Sequence, residues 1–400
     1  MHTLVVSQYF RPEVGATQNR LATFTDGLVE RGHRVTVICE QPNHPAGVFA
    51  AGYGRRPLMT ERAGALTVRR TWVAASPRKT TARRLAFYGT FGVGAAVLTA
   101  TARRADVMFT SSPPLPGALA AAGAAAARRL PFVLDVRDLW PAAAEALGEL
   151  SNPRVLRFFE RAERWLYQHA ARVTATTKPF CRHIDAVAGR AVSVHLPNGA
   201  LDELVALPTA PPPPGPFTIG YAGNFGIAQG LGIVLDAAEA LRDEDVRFVL
   251  AGAGPLHDEL RTERDRRGLS AVEIRPGVPV ADVGALLLGC DALLIPLRDH
   301  ALLRDFIPSK LYDAMAVGRP ALVAAPGEAG ALVRQHGCGL EVGAEDGAGL
   351  AAAVRTLIAD PDAVHRMGAA GKAAATQYVR SRQVDRLDQV LRDAAGARGS

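Results

Sequence analysis

The stretch Asp291-Ala-Leu-Leu-Ile-Pro-Leu297, a short charged loop, and then Asp305-Phe-Ile307-Pro308-Ser309-Lys310-Leu-Tyr-Asp313-Ala-Met-Ala-Val-Gly318-Arg-Pro320 reads as strand, loop, helix start and helix stop. The run 292–297 has the length of a buried strand. Pro308 followed by Ser309 signals a helix start and Gly318 before Pro320 a stop, so the helix is about two turns long. Its first N–H groups lack intrahelical partners and carry partial positive charge, which suits a phosphate. Lys310 adds a full charge there, one of four lysines among 46 basic residues. Asp305 and Asp313 bracket the turn with seven residues between them, a spacing able to aim both at one polyhydroxylated ligand. A solvated lysine on a short helix, with Asp side chains complementing the helix dipole, accounts for the same residues.

Upstream, a strand at 218–222 runs into Gly223-Asn224-Phe-Gly226-Ile-Ala-Gln229-Gly230-Leu231 and a helix to about 241. A strand at 247–251 enters Gly252-Ala-Gly254-Pro255, a strand at 272–275 leads to Gly277-Val278, and strands at 321–325 and 339–342 with three terminal helices finish the chain. The glycine-rich turn resembles a phosphate turn but lacks the Walker Gly-Lys-Ser/Thr ending, which disfavours an ATPase; a plain strand-to-helix turn reads the same way.

Before the proline-rich run 208–216 lies a first alternation. Strand 4–7, a loop containing Gly15, helix 17–31 and strand 35–39 form a βαβ unit, which belongs to a parallel sheet. Residues 40–65 read as a long irregular loop, and strand 132–135 delivers Asp135-Val-Arg137-Asp138-Leu-Trp140-Pro141 to the cleft edge, where charged residues with a Trp read as a substrate surface or as an Arg137–Asp138 surface pairing with Trp140 packed. The expected fold is therefore α/β, two doubly wound Rossmann-like domains facing a cleft, joined by a stiff linker.

Composition narrows the partners. The net charge of +7 hides an asymmetry, with residues 1–200 at net +13 and 201–400 at net −6, so an acidic partner is expected at the first half. Arginine-rich pairs (Arg55-Arg56, Arg69-Arg70, Arg78-Lys79, Arg83-Arg84, Arg103-Arg104) surround the uncharged stretch 85–102. That pattern suits an anionic membrane surface, and equally a buried helix between solvated arginines. No aromatic-rich basic motif points to nucleic acid. Four scattered cysteines and no His cluster suggest neither disulfides nor a metal site, and the opening lacks a signal-peptide pattern, so a cytoplasmic protein is expected, with peripheral contact at the inner membrane face kept open.

Taken together, Gly15-Ala16, Arg137-Asp138-Leu-Trp-Pro141, Pro197-Asn-Gly199, Gly223-Asn-Phe-Gly-Ile-Ala-Gln-Gly-Leu231, Pro308-Ser-Lys310 and Gly318 make the chain resemble, nearly end to end, a retaining family-4 glycosyltransferase of GT-B fold. Tyr9-Phe10-Arg-Pro-Glu13, Pro42-Asn43 and Ser111-Ser-Pro-Pro114 make it similar to the fucosamine-transferase-like branch of surface-polysaccharide assembly.

The resemblance implies an N-terminal acceptor domain (1–207), a linker (208–216), a C-terminal nucleotide-sugar domain (217–377) and a last helix (378–400) crossing back to the first. It implies transfer from a nucleotide-diphosphate sugar, UDP-type favoured, to a lipid-linked or surface-polysaccharide acceptor, with no metal and no cofactor beyond the sugar nucleotide as co-substrate. Lys310, Asp305 and Asp138 are the implied catalytic group. Gly15, Gly223, Asn224, Gln229, Gly252, Gly277, Val278, Ile307, Pro308, Ser309 and Asp313 are the implied donor-binding residues. The family's paired Glu residues correspond to Asp305 and Asp313, and its basic phosphate-turn residues to Asn224 and Gln229. A natural-product glycosyltransferase with a soluble aglycone or aminocyclitol acceptor, a nucleotide-sugar 2-epimerase and a non-catalytic sugar-nucleotide-binding protein are the alternatives.

Overall fold

The structure, a computed structural model, describes every residue except 14, 79, 103, 143–144, 146–151, 210 and 397–400. Lys79 and Arg103 of the basic pairs and residue 210 of the proline-rich run thus lie outside the described residues. The chain divides into two compact units, Met1–Pro197 with Gln383–Ser400, and Asn198–Arg382.

In the first unit the elements are β1 (His2–Val6), α1 (Ala16–Glu30), β2 (Arg34–Glu40), β3 (Leu58–Ala63), β4 (Leu66–Thr71), α2 (Thr81–Thr101), β5 (Val107–Ser112), α3 (Leu115–Ala127), β6 (Phe132–Val136), α4 (Pro153–His169), β7 (Arg172–Ala175), α5 (Lys178–Ala188) and β8 (Ser193–His195). The second contains α6 (Asp202–Ala206), β9 (Phe217–Asn224), a 3-10 turn (Ile227–Gln229), α7 (Gly232–Ala240), β10 (Val246–Ala253), α8 (His257–Arg266), β11 (Val272–Arg275), α9 (Val280–Leu288), β12 (Ala292–Pro296), a second 3-10 turn (Ala301–Asp305), α10 (Ser309–Val317), β13 (Ala321–Ala324), α11 (Glu328–His336), β14 (Gly339–Val342), α12 (Gly347–Ala359) and α13 (Pro361–Ala375). A last helix, α14 (Arg380–Gly396), leaves the second unit and ends in the first.

The first sheet runs β3-β4-β2-β1-β5-β6-β7-β8, and every pairing is parallel except β3 with β4. Val5, Val37 and Phe109 bury one face under Leu21, Phe24 and Leu28 of α1. The same core takes Val384, Leu387 and Leu391 of α14, which lies so close to α1 that a methyl group on Gly27 would fall 2.7 Å from Val384 Cγ1. The Arg31–Asp385 ion pair (2.5 Å) and the His33 Nε2 contact with Asp388 Oδ1 (2.9 Å) flank that contact.

Two expectations need correction here. The region 40–65 is not all loop: β3 forms an antiparallel edge hairpin with β4, turning at Gly64 (φ 59°). Arg70 is not a surface partner of Arg69 either. It is buried in β4, donating to Glu61 Oε1 at 2.7 Å and to the carbonyl of Arg11 at 2.6 Å, so its charge is paired inside the unit.

The second sheet is wholly parallel, in the order β11-β10-β9-β12-β13-β14. Because side chains alternate along a strand, β12 feeds both faces: Ala292 and Leu294 enter one core with Tyr221 and Phe248, while Leu293 and Ile295 enter the other with Leu311 and Met315. Both faces are covered by helices, which is the Rossmann-like arrangement.

Candidate active site

In the second sheet β9 lies between β10 and β12. The helix after β9, α7, buries Ile233, Val234 and Leu235 in one core, whereas the helix after β12, α10, buries Leu311, Tyr312 and Met315 in the opposite one. Crossovers that leave neighbouring strands for opposite faces open a crevice beyond the strands' carboxyl ends, where such sheets take their ligands.

Lys310, in the first turn of α10, reaches across that crevice. A Cβ placed on Gly223 (φ 151°) would fall 2.1 Å from Lys310 Cε and 2.6 Å from Nζ, so only glycine leaves room for this side chain. The ammonium stands 5.2 Å from the centroid of the Tyr221 ring, a cation–π distance, and the Tyr221 hydroxyl donates to the carbonyl of Asn224 at 2.6 Å. Gly252 pairs in register with Gly223, and a Cβ there would lie 1.8 Å from the Gly223 carbonyl oxygen. A Cβ on Gly277 would lie 3.7 Å from Gly252 Cα. Three adjacent strand ends thus present bare backbone. Beside them, Asn224 Nδ2 and Gln229 Oε1 both close on Gly226, and Gln229 Oε1 is buried without a hydrogen-bond partner among the described residues.

Burial pulls the Lys310 ammonium below its ordinary pKa, with the nearby Asp313 carboxylate holding it up. Burial pushes the Asp313 carboxyl up to about 6, against the opposing pull of Arg380 and then Lys310. Asp313 Oδ1 is sealed from solvent and accepts no hydrogen bond from the described residues. A buried acceptor normally has a donor. Together with the helix start at Ser309, whose cap residue Pro308 supplies no side-chain cap, the crevice offers an ammonium and free N–H groups to an anion, and an unused carboxylate oxygen to hydroxyls.

Of the residues expected from the sequence, Gly223, Asn224, Gln229, Gly252, Gly277 and Asp313 of the donor-binding set and Lys310 of the catalytic group are brought together in this way. Ile307 and Pro308 form the half-buried lead into α10, Asp305 ends the 3-10 turn before it, and Val278 follows Gly277 in the segment leading to α9. Gly15 and Asp138 belong to the first unit. Gly15 caps α1, accepting from the Asn19 amide at 2.9 Å under the Gln18 side chain. Asp138 follows β6, its carboxyl raised by burial and held down by Arg137. Arg137 does not pair on the surface: its Nε donates to Ser111 Oγ at 3.0 Å, its Nη1 to Thr17 Oγ1 and its Nη2 to the carbonyl of Pro113 at 2.6 Å, and burial pulls its pKa down to about 10.

Tyr221 and Arg380 are residues that the sequence reading passed over. Tyr221 looks like any aromatic of a buried strand, and only its three-residue distance from Asn224 marks it. Arg380 lies 67 positions from Asp313 and meets it only through the fold. Among the described residues no group of three or more His, Cys, Asp or Glu is arranged to hold a metal ion, and no helix is long and apolar enough to cross a membrane.

Residues 15–199 match a family described as the glycosyl transferase 4-like domain, and residues 216–360 match the glycosyl transferases group 1. Escherichia coli (strain K12) WcaI, named as a glycosyl transferase of colanic acid biosynthesis, is 26% identical over 349 residues, taking in 81% of this chain and 83% of its own. Among solved structures, sucrose-phosphate synthase from Thermosynechococcus elongatus superposes with a TM-score of 0.75 at 14% identity, over 99% of both chains. Anabaena HepE in complex with UDP superposes with a TM-score of 0.72 at 18% identity, over 98% of this chain and 100% of that one. Two family matches that between them take in most of the chain, on two Rossmann-like units shared with these structures, make this protein a GT-B glycosyltransferase of group 1, with a 4-like N-terminal domain.

Proposed function

We propose that the protein transfers a sugar, with retention of anomeric configuration, from a nucleoside-diphosphate sugar of UDP type to a lipid-linked acceptor of surface-polysaccharide assembly. The observation that carries this reading is Lys310 laid over Gly223 beside the orphan oxygen of Asp313. An ammonium and a helix start facing bare strand ends suit a diphosphate, and an unused buried carboxylate suits the ribose hydroxyls. HepE, whose structures hold UDP and UDP-glucose, favours UDP, and the naming of WcaI for colanic acid synthesis favours a polysaccharide acceptor.

In the proposed step the bond between the sugar's anomeric carbon and the β-phosphate oxygen breaks. The acceptor oxygen bonds to that carbon on the same face, and its proton passes to the departing phosphate. Lys310 and the α10 start stabilise the charge gathering on that phosphate, an effect worth several kcal/mol in a low-dielectric site. Asp305 faces the donor hexose, and Asp138, with a carboxyl raised by burial, orients the acceptor hydroxyl. No metal takes part in this scheme.

The first unit supplies the acceptor side, in keeping with its positive charge. Leu85, Val93 and Val97 stand exposed along α2 at four- and eight-residue spacing, hence on one face, with Arg83 and Arg84 in the first turn of that helix and Arg104 just past its end. This face rests on an anionic membrane in the proposed reading.

Incubating the protein with UDP-sugars and a membrane extract, and reading the anomeric configuration of the product by NMR, tests the whole reaction. Product with the donor's configuration supports it, an inverted product refutes retention, and a free epimerised nucleotide sugar would make the protein an epimerase.

A further inference from the structure

The helix α4 (Pro153–His169) has two unlike faces. Ala162, Glu163, Leu166 and Tyr167 are buried, the Tyr167 hydroxyl donating to Glu163 Oε1 at 2.8 Å. On the opposite side Arg154, Arg157, Arg161 and Arg164 stand exposed, three, four and three residues apart, a spacing that puts all four on one face. Phe158 lies among them, 57% exposed. Among the described residues none of these four guanidinium groups is paired with a carboxylate. Glu160, the one exposed carboxylate of α4, stands roughly a quarter-turn round the helix from the middle of the stripe.

The stripe shares one side of the first sheet with the apolar face of α2. The connections β4–α2–β5, β5–α3–β6 and β6–α4–β7 all advance the same way across the sheet, whereas β1–α1–β2 runs the other way. Because such crossovers are right-handed, α2, α3 and α4 lie on one face of the sheet, and α1 with α14 on the other. The helix α3 packs against both α2 and α4, so close to α2 that a Cβ on Gly117 would fall 2.5 Å from Phe91 Cε1. Phe91, Ala95 and Leu98 are the buried side of α2, and Leu85, Val93 and Val97 are on the side turned away. The arginines of α4 and the apolar residues of α2 therefore look outward from one helix layer.

A run of rings ties the stripe to the loop of Asp138. Phe158 meets Phe159 edge-on at 5.2 Å, and Phe159 meets Trp140, two residues beyond Asp138, at 4.6 Å. A surface resting on α4 lies beside the loop that carries the carboxyl assigned to the acceptor.

Arginines alone suit any polyanion. A nucleic acid or an acidic protein gives the exposed Phe158 and the apolar face of α2 nothing to do, whereas a bilayer with anionic headgroups takes charge and apolar groups together at its interface. We propose that α4 is the headgroup contact of the first unit, with Arg154, Arg157, Arg161 and Arg164 meeting anionic lipid phosphates and Phe158 entering the interface among them. The inference rests on the reading that this unit meets a membrane, and adds to it the helix that recognises the charge.

Sedimentation of the full chain with vesicles containing phosphatidylglycerol and with pure phosphatidylcholine vesicles, at low and moderate salt, tests it. The proteins are wild type, Arg157→Gln/Arg161→Gln, the corresponding lysine pair, Phe158→Ala and Val93→Asp/Val97→Asp, with unchanged unfolding midpoints as the check on folding. Wild type is expected to bind the anionic vesicles and not the neutral ones. A basic residue near an anionic leaflet is worth about fivefold in affinity, so the glutamine pair should bind about tenfold or more weakly at low salt, with the lysine pair close to wild type. Phe158→Ala should weaken binding at both salt levels, because the contact of a ring with lipid is not screened. Weak binding by the glutamine pair, with binding kept in Val93→Asp/Val97→Asp, supports the α4 contact and counts against the α2 face alone. Binding by the glutamine pair equal to wild type overturns the proposal and leaves the membrane reading standing, whereas no binding by wild type to either vesicle ends both. Equal binding to neutral vesicles, or no effect of Phe158→Ala, also overturns it. So does a single-stranded oligonucleotide that displaces the protein from the vesicles with the same arginine dependence, which would assign α4 to nucleic acid.

Discussion

The side chain of Lys310 occupies the space that a Cβ on Gly223 would need: the two would be 2.1 Å apart at Lys310 Cε. One residue lies in the last two positions of β9 and the other, 87 positions later, in the first turn of α10, and their contact sets the ammonium over bare backbone.

Gly223→Ala should therefore displace Lys310 and strain a backbone at φ 151°. A stability loss of about 1–3 kcal/mol in urea unfolding is expected, with turnover falling further than the loss of folded protein explains. Normal turnover per folded molecule would show that the lysine's position is immaterial.

Asp313 carries a pH signature. Its carboxyl is raised to about 6 in the fold from an ordinary value of 3.8, so the folded state binds the proton more tightly than the unfolded one. Below pH ~4 both states hold the proton and nothing is lost; as pH rises through 6 the fold bears a penalty of up to about 3 kcal/mol. Asp313→Asn should thus gain stability relative to wild type at pH 7–8, with the difference closing toward pH 4. The same variant should bind UDP more weakly at pH 8, having lost a carboxylate acceptor. A stability difference that is flat from pH 4 to 8 would contradict the raised pKa.

Asp138→Ala should raise the acceptor KM or lower kcat in steady-state assays, with UDP binding untouched. Unchanged acceptor kinetics would remove Asp138 from the mechanism.

The α2 face is tested by sedimentation with phosphatidylglycerol vesicles. Binding at low salt that weakens at moderate salt, and weakens again in Val93→Asp/Val97→Asp, is expected. Absence of binding at both salt levels would end the membrane reading.

Much of the fold was legible because α/β alternation leaves a strong pattern: apolar runs such as 292–297 bounded by glycine and proline announce buried strands, and Pro308 and Gly318 punctuate α10 from both ends. β3 was illegible because Leu-Met-Thr-Glu-Arg-Ala has neither an apolar run nor alternation; as an edge strand it buries neither face fully. Arg70 misled because a charged pair reads as surface, and its partner Glu61 becomes a neighbour only through the β3–β4 pairing. At the crevice, Lys310 and Asp313 stand out because charge at a helix start is a local signal. The roles of Tyr221 and Arg380 are set by contacts across the fold, as is the Gln8, Glu13, Glu40 and Asn43 network, whose members meet only when β1 pairs with β2.

The central claim is that the second unit binds a nucleoside diphosphate through Lys310, and ligand-induced thermal stabilisation tests it most directly. A ligand that binds only the folded state raises Tm once it exceeds its dissociation constant. UDP is expected to raise Tm of the wild type, with or without EDTA, and to leave Lys310→Met unmoved, while UDP-sugar turnover by that variant falls by about 10²-fold or more. Equal stabilisation of wild type and Lys310→Met by UDP, with turnover near normal, would contradict it.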